Sequence, residues 1–172
     1  MSVLMVGLEA ELARTLIRRL VQQDDEVRVI ATENDDPETL RKLGAHIARG
    51  PLVDADLVER AAQNVRTIVV GAVEVVVMKE ILEGARVARV ERVVLCTADP
   101  PVEPVELLRA APGQHVVLTY RKRRLRRNKA LAPESIAAAV DAADDLGGEP
   151  RLELDLNEAS SWDALGLEVM TG

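Results

Sequence analysis

Val3-Leu4-Met5-Val6-Gly7-Leu8-Glu9-Ala10-Glu11-Leu12-Ala13 is the stretch that decides the fold. Its first four residues are an unbroken apolar run that stops at a glycine. Such a run marks a strand buried on both faces, as in parallel sheets, since a sheet with one wet face alternates apolar and polar residues. Directly behind it, Glu9 to Gln22 sets Leu12, Leu16, Ile17 and Leu20 on one helical face and Arg14, Arg18 and Arg19 on the other. Strand, glycine turn and amphipathic helix make up the first half of a β-α-β unit.

The unit recurs along the chain. Val27, Val29 and Ile30 give a strand over 26–32, Pro37 to Leu43 a short helix ended by Gly44, and 45–49 a further strand. A helix over 54–63, a strand over 67–70, a helix over 74–87 and a strand over 92–97 follow. Pro100, Pro101 and Pro104 confine the next helix to 105–110, before a sixth strand over 115–120. Pro133 opens a helix that Gly147-Gly148 stops, and 151–154 reads as an edge strand. The expectation is a single-domain α/β protein with a doubly wound, mostly parallel, Rossmann-like sheet over residues 1–154. All its crossovers are expected to be right-handed, and the tail over 155–172 has no defined pattern.

Composition narrows the functions. The 172 residues are 48% hydrophobic and 30% charged, and no apolar run is long enough for a membrane span. The start lacks a basic region and a small-residue cleavage site, so the expected location is cytoplasmic. One cysteine, Cys96, and two histidines, His46 and His115, leave no set of metal ligands. Tyr120 and Trp162 are the only aromatic residues, which leaves no stacking platform for single-stranded nucleic acid.

Open parallel sheets bind ligands at the carboxyl ends of their strands, where the first turn offers backbone N–H groups to a phosphate. That turn needs glycine three times: for the tight bend, for close approach of a pyrophosphate, and for helix packing. Gly7 meets the first need, whereas Ala10 and Ala13 stand at the other two. Glu9 and Glu11 either complement the helix dipole or oppose a bound dianion, the latter by about 1 kcal/mol each. Glu33 lies where an acid receives the ribose hydroxyls of NAD, or it is one more acidic loop residue before a helix.

Residues 3–19, 26–30, 43–54 and 90–95, with Val116 to Tyr120 and Pro133 to Val140, resemble the NmrA-like atypical branch of the short-chain dehydrogenase/reductase superfamily. The likeness in order and spacing runs over roughly residues 1–154. It implies a Rossmann fold with NAD or NADP over the glycine turn. The implied contacts are Gly7, Leu8, Glu9, Ala10, Leu12, Thr32, Glu33, Pro51, Leu52, Gly71, Ala72 and Thr97. The departures imply weakened or lost binding, because Ala10 and Ala13 replace two glycines and Pro51 stands where the family supplies Gly-Asp. The Tyr-x-x-x-Lys pair of reducing members belongs to the helix after the fifth strand, and Asp99 to Ala110 has neither residue. Tyr120 with Arg124 copies part of that spacing at the end of the sixth strand, a coincidence of position, and Cys96 reads as a small core residue.

Two further features concern partners. Seven basic residues lie within Arg121 to Lys129, so the remainder carries 15 basic against 29 acidic residues, a net charge of −14. That run docks an acidic protein surface, binds nucleic acid through phosphates, or is a solvated loop. The helix over 74–87 carries Val75, Val76, Val77, Met78, Ile81 and Leu82 and is apolar nearly all round, so its outer side meets either a second subunit or the tail with Trp162. The expected function is a nucleotide-sensing or scaffold protein with no catalytic residues. The alternatives are an oxidoreductase or isomerase with an atypical site, built for instance on Thr97 and Tyr120, and a potassium-channel-regulator-like nucleotide domain.

Overall fold

A computed structural model describes residues 2–33, 35–98, 102–121, 131–148 and 150–168. Seven strands, β1 (Ser2–Val6), β2 (Glu26–Ala31), β3 (His46–Arg49), β4 (Thr67–Val70), β5 (Arg92–Thr97), β6 (Gln114–Thr119) and β7 (Arg151–Asp155), form one sheet. Its order is β3-β2-β1-β4-β5-β6-β7 and every neighbouring pair is parallel. The helices are α1 (Ala10–Gln22), α2 (Pro37–Lys42), α3 (Ala55–Ala61), α4 (Val75–Val87), α5 (Val102–Ala110), α6 (Pro133–Asp145) and α7 (Ala159–Ala164).

The unbroken apolar runs have a direct cause in this arrangement. Val3, Met5, Val69, Val94, Cys96, Val116 and Leu118 enter a core shared with α1, α6 and α7. Leu4, Val6, Ile68, Val70, Val93, Leu95 and Val117 enter a second core shared with α3, α4 and α5. Successive side chains point to opposite faces, so a strand covered on both sides must be apolar at every position.

One connection departs from the expected hand. Moving from β4 to β5 and from β5 to β6, the linking helices lie in the second core, whereas α6, which links β6 to β7 in the same direction, lies in the first. The β6-α6-β7 crossover therefore has the opposite hand to the others, which follow the right-handed rule. What holds α6 there is its contact with α1. Ala137, Ala139 and Ala143 are small enough for close packing, and Asp141 Oδ2 accepts from Arg19 Nε at 2.6 Å and from Gln23 Nε2 at 3.1 Å.

The prolines also shorten α5 less than expected. It starts at Val102 and takes Pro104 into its first turn, where a missing N–H costs no intrahelical bond. Beyond β7, Leu156, Trp162 and Leu165 are buried in the first core, and Trp162 Nε1 donates to the Leu156 carbonyl oxygen at 2.8 Å. Trp162 thus lies across the sheet from α4 and does not cover it. The outward side of α4 is mixed in character: Val76 and Val87 are exposed, but so are Lys79, Glu83 and Arg86. The inner side is close-packed, since a Cβ on Gly84 would meet the Cβ of Val58 at 2.7 Å.

Candidate functional site

The chain leaves β1 toward one face and β4 toward the other, and these strands are neighbours, so a crevice opens at their carboxyl ends. Gly7 turns the chain there with φ +64°, a left-handed conformation that glycine adopts without strain. Gly71 braces this turn from β4. Its N–H donates to the Val6 carbonyl oxygen at 2.9 Å, and a Cβ on it would lie 2.0 Å from the Gly7 carbonyl oxygen. Backbone packing alone therefore requires glycine at position 71.

Beside the turn lies a cavity of about 240 Å³ between the amino-terminal ends of α1 and α2. Met5, Val29, Leu40 and Ala13 are its buried apolar lining, Leu8 and Ala10 flank it on the α1 side, and Asp35, Asp36 and Thr39 on the α2 side. Arg14 also lines it. The two aspartates have different tasks. Asp36 caps α2, accepting from the N–H groups of Glu38 and Thr39 at 3.2 Å and from Thr39 Oγ1 at 2.5 Å, bonds that hold its carboxyl below the usual range. Asp35 closes the loop after β2: its Oδ2 accepts from the Thr32 N–H at 2.7 Å and from Thr32 Oγ1 at 2.9 Å.

Among the residues expected to hold a cofactor, Leu8 and Ala10 line this cavity. Glu9 precedes α1 without a side-chain capping bond, and Glu11 sits in the first helical turn. Leu12 turns into the core at 4% exposure. Glu33 is exposed and does not line the cavity; Asp35 and Asp36, two and three residues further on, do. Pro51 is exposed after β3, Leu52 packs against the second core, Ala72 is exposed after β4, and Thr97 is buried at the end of β5. The dipeptide Asp35-Asp36 followed by Pro37 carried the missed signal: an acid just before a helix-opening proline is the pattern of a helix cap.

Cys96, the last residue but one of β5, and Tyr120, the residue after β6, both enter the first core. Burial, with the Glu9 charge as a lesser cause, pushes the Cys96 thiol up to about 12. Burial likewise raises the Tyr120 phenol, helped by Cys96 and Glu9. Neither group is ionised near neutral pH. Among the described residues no three His, Cys, Asp or Glu side chains are grouped to hold a metal ion, and no helix is long and apolar enough to cross a membrane. Of the basic run only Arg121 is among the described residues.

Comparison of the sequence with protein-family models and with curated proteins gave no match. Solved structures do resemble it. The Bordetella bronchiseptica enzyme WbmH, in complex with NAD+, is 13% identical with a TM-score of 0.71, over 90% of this chain and 74% of that one. ChuY, an anaerobillin reductase from Escherichia coli O157:H7, is 15% identical with a TM-score of 0.71, over 90% and 96%. A wide-type short-chain dehydrogenase/reductase from Veillonella parvula, in complex with NADP, is 14% identical with a TM-score of 0.65, over 81% and 85%. Likeness at this level of identity establishes the fold: a Rossmann-like α/β architecture shared with NAD(P)-binding reductases.

Proposed function

We propose that this chain is an NmrA-like relative of the short-chain dehydrogenases/reductases that keeps the Rossmann frame as a cytoplasmic nucleotide-sensing or scaffold protein, without conventional reductase chemistry. The observation that carries the proposal is the state of Tyr120. A phenol that protonates a carbonyl must be reachable and have a lowered pKa. Tyr120, the chain's one tyrosine, is 6% exposed and its pKa is raised, and α5 holds neither Tyr nor Lys. The first turn supports the same conclusion, because Ala10 and Ala13 stand where the pattern has glycine, and Glu9 and Glu11 add two carboxylates beside Ala10. In this proposal a second copy packs on the outer side of α4, around Val76 and Val87, and the basic run Arg121 to Lys129 docks an acidic protein surface.

The test has two parts, both on the intact chain. NADH or NADPH is mixed with a panel of carbonyl substrates, and the absorbance of the reduced nicotinamide is followed; the expected rate is that of buffer. Thermal unfolding is then recorded with NAD, NADH, NADP and NADPH and with their adenosine portion, and a rise in Tm that saturates with ligand is expected. Multiple turnovers in the first part overturn the non-catalytic assignment, and an unmoved Tm with every ligand in the second leaves the scaffold role alone.

A further inference from the structure

We infer that the free edge of β7 is a docking surface for a second copy of this chain, with the two β7 strands paired antiparallel and Glu153 at the two-fold axis. This surface is separate from the outer side of α4.

Hydrogen-bond direction is the first argument. β7 is the last strand of the sheet and pairs with β6 alone. The Pro150 carbonyl oxygen accepts from the His115 N–H at 3.0 Å, and the Leu156 N–H donates to the Thr119 carbonyl oxygen at 2.8 Å, so the even-numbered residues of this stretch face β6. The N–H groups of Arg151, Glu153 and Asp155 and the carbonyl groups of Arg151 and Glu153 therefore point away from the sheet. None of them has a hydrogen bond with a described residue. Such a row is a template for a further strand.

The side chains make this edge self-complementary. Residues directly opposite each other in an antiparallel pair lie on one face of the sheet. Centring the pair on Glu153 sets Arg151 against the partner's Asp155, and Asp155 against the partner's Arg151. Arg151 is exposed and has no ion pair with a described residue, and Asp155 Oδ2 has no hydrogen bond with one. The two Glu153 carboxylates that meet at the axis are each neutralised within their own chain, because Arg109 Nη2 donates to Glu153 Oε2 at 2.6 Å. A register shifted toward Asp155 loses this match, since it sets Glu153 against the partner's Asp155.

The other face of the strand adds an apolar contribution. Leu152 and Leu154 pack against the first core yet are only half-buried, and the same register sets each against the other's counterpart in the partner. Pairing covers apolar surface that a lone chain leaves in water.

Sedimentation velocity of the intact chain over a concentration series is the test. The wild-type assembly is expected to lose half its mass in Arg151→Glu and in Asp155→Arg, since each sets like charges opposite one another at both ends of the pair and weakens association about tenfold or more. An equimolar mixture of the two variants is expected to regain the mass, because every position 151 then faces an opposite charge at position 155. Unchanged mass in both variants overturns the inference, and so does a mixture that fails to reassociate. If the Tm shows Asp155→Arg to be unfolded, Arg151→Glu decides alone, and unchanged mass in it overturns the inference. Val76→Glu reports separately on the α4 contact: an assembly that it splits and that the β7 variants leave whole overturns the inference and leaves that contact standing. A wild-type monomer at every concentration overturns both.

Discussion

Arg92 Nη1, on β5, donates to the carbonyl oxygen of Ala143, in the last turn of α6, at 2.7 Å. The same guanidinium donates through Nη2 to the Leu146 carbonyl oxygen at 2.5 Å and through Nε to Gln114 Oε1 at 3.0 Å. A helix ends with carbonyl groups that have no intrahelical partner, and its C-terminus is the negative end of the dipole. A cationic fork from the sheet answers both needs while being only 6% exposed itself. This contact, with Arg66 bonding Asp144 and Asp145 beside it, pins α6 to the face that its crossover would ordinarily avoid.

Arg92→Met is expected to cost about 3 kcal/mol or more, because it strands several buried carbonyl oxygens without donors. Arg92→Lys is expected to recover less than half of that, since one ammonium cannot reach the same set of acceptors. Urea unfolding midpoints give the measurement, and a loss under 1 kcal/mol in Arg92→Met contradicts the capping role.

Gly71→Ala places a methyl against the Gly7 carbonyl oxygen and is expected to cost on the order of 3 kcal/mol and to shift the β1-α1 turn. Gly147→Ala meets nothing within 4 Å and serves as the control, with stability unchanged or raised by about 0.5 kcal/mol. Equal midpoints for the two variants would show that the brace is not under close packing.

Stability is expected to fall as pH drops below 6.5 through His115. Burial, with the Arg151 charge next, lowers its folded pKa below the ordinary 6.5. The unfolded chain therefore binds this proton first, so the stabilisation is present above pH 6.5 and is lost as pH falls through the folded pKa. His115→Gln should flatten the profile in that window, where carboxylates remain ionised. An identical slope in the variant would assign the pH response elsewhere.

Trp162 is 2% exposed, so its fluorescence is expected at short wavelength in the folded state and to shift red on unfolding. Trp162→Ala should cost about 3 to 5 kcal/mol, as for other large core truncations. Trp162→Phe should cost about 1 to 2 kcal/mol, because the Leu156 carbonyl oxygen loses its donor. A neutral Trp162→Ala would mean that residues 156–165 do not belong to the first core.

The strands and their parallel character were legible because double-sided burial writes itself into local composition: Val3 to Val6, Ile68 to Val70 and Val93 to Leu95 have no polar residue between their apolar ones. The first turn was legible for the same local reason, as Gly7 is the residue that φ +64° favours. The hand of the β6-α6-β7 crossover was not, because it depends on which face α6 finds, and that is set by pairs such as Arg19 with Asp141, 122 residues apart. The site lies between these cases. Leu8 and Ala10 could be read from the turn, whereas Asp35 and Asp36 were hidden among acidic loop residues until the fold brought α2 beside α1. The amino-acid order by itself determined periodicity, turns and the absence of Tyr and Lys between Asp99 and Ala110, all properties of neighbouring residues. Tertiary structure alone decided that Gly71 supports Gly7, that Trp162 and α4 lie on opposite faces, and which carboxylates share a cavity, since each depends on distances between segments far apart in the chain.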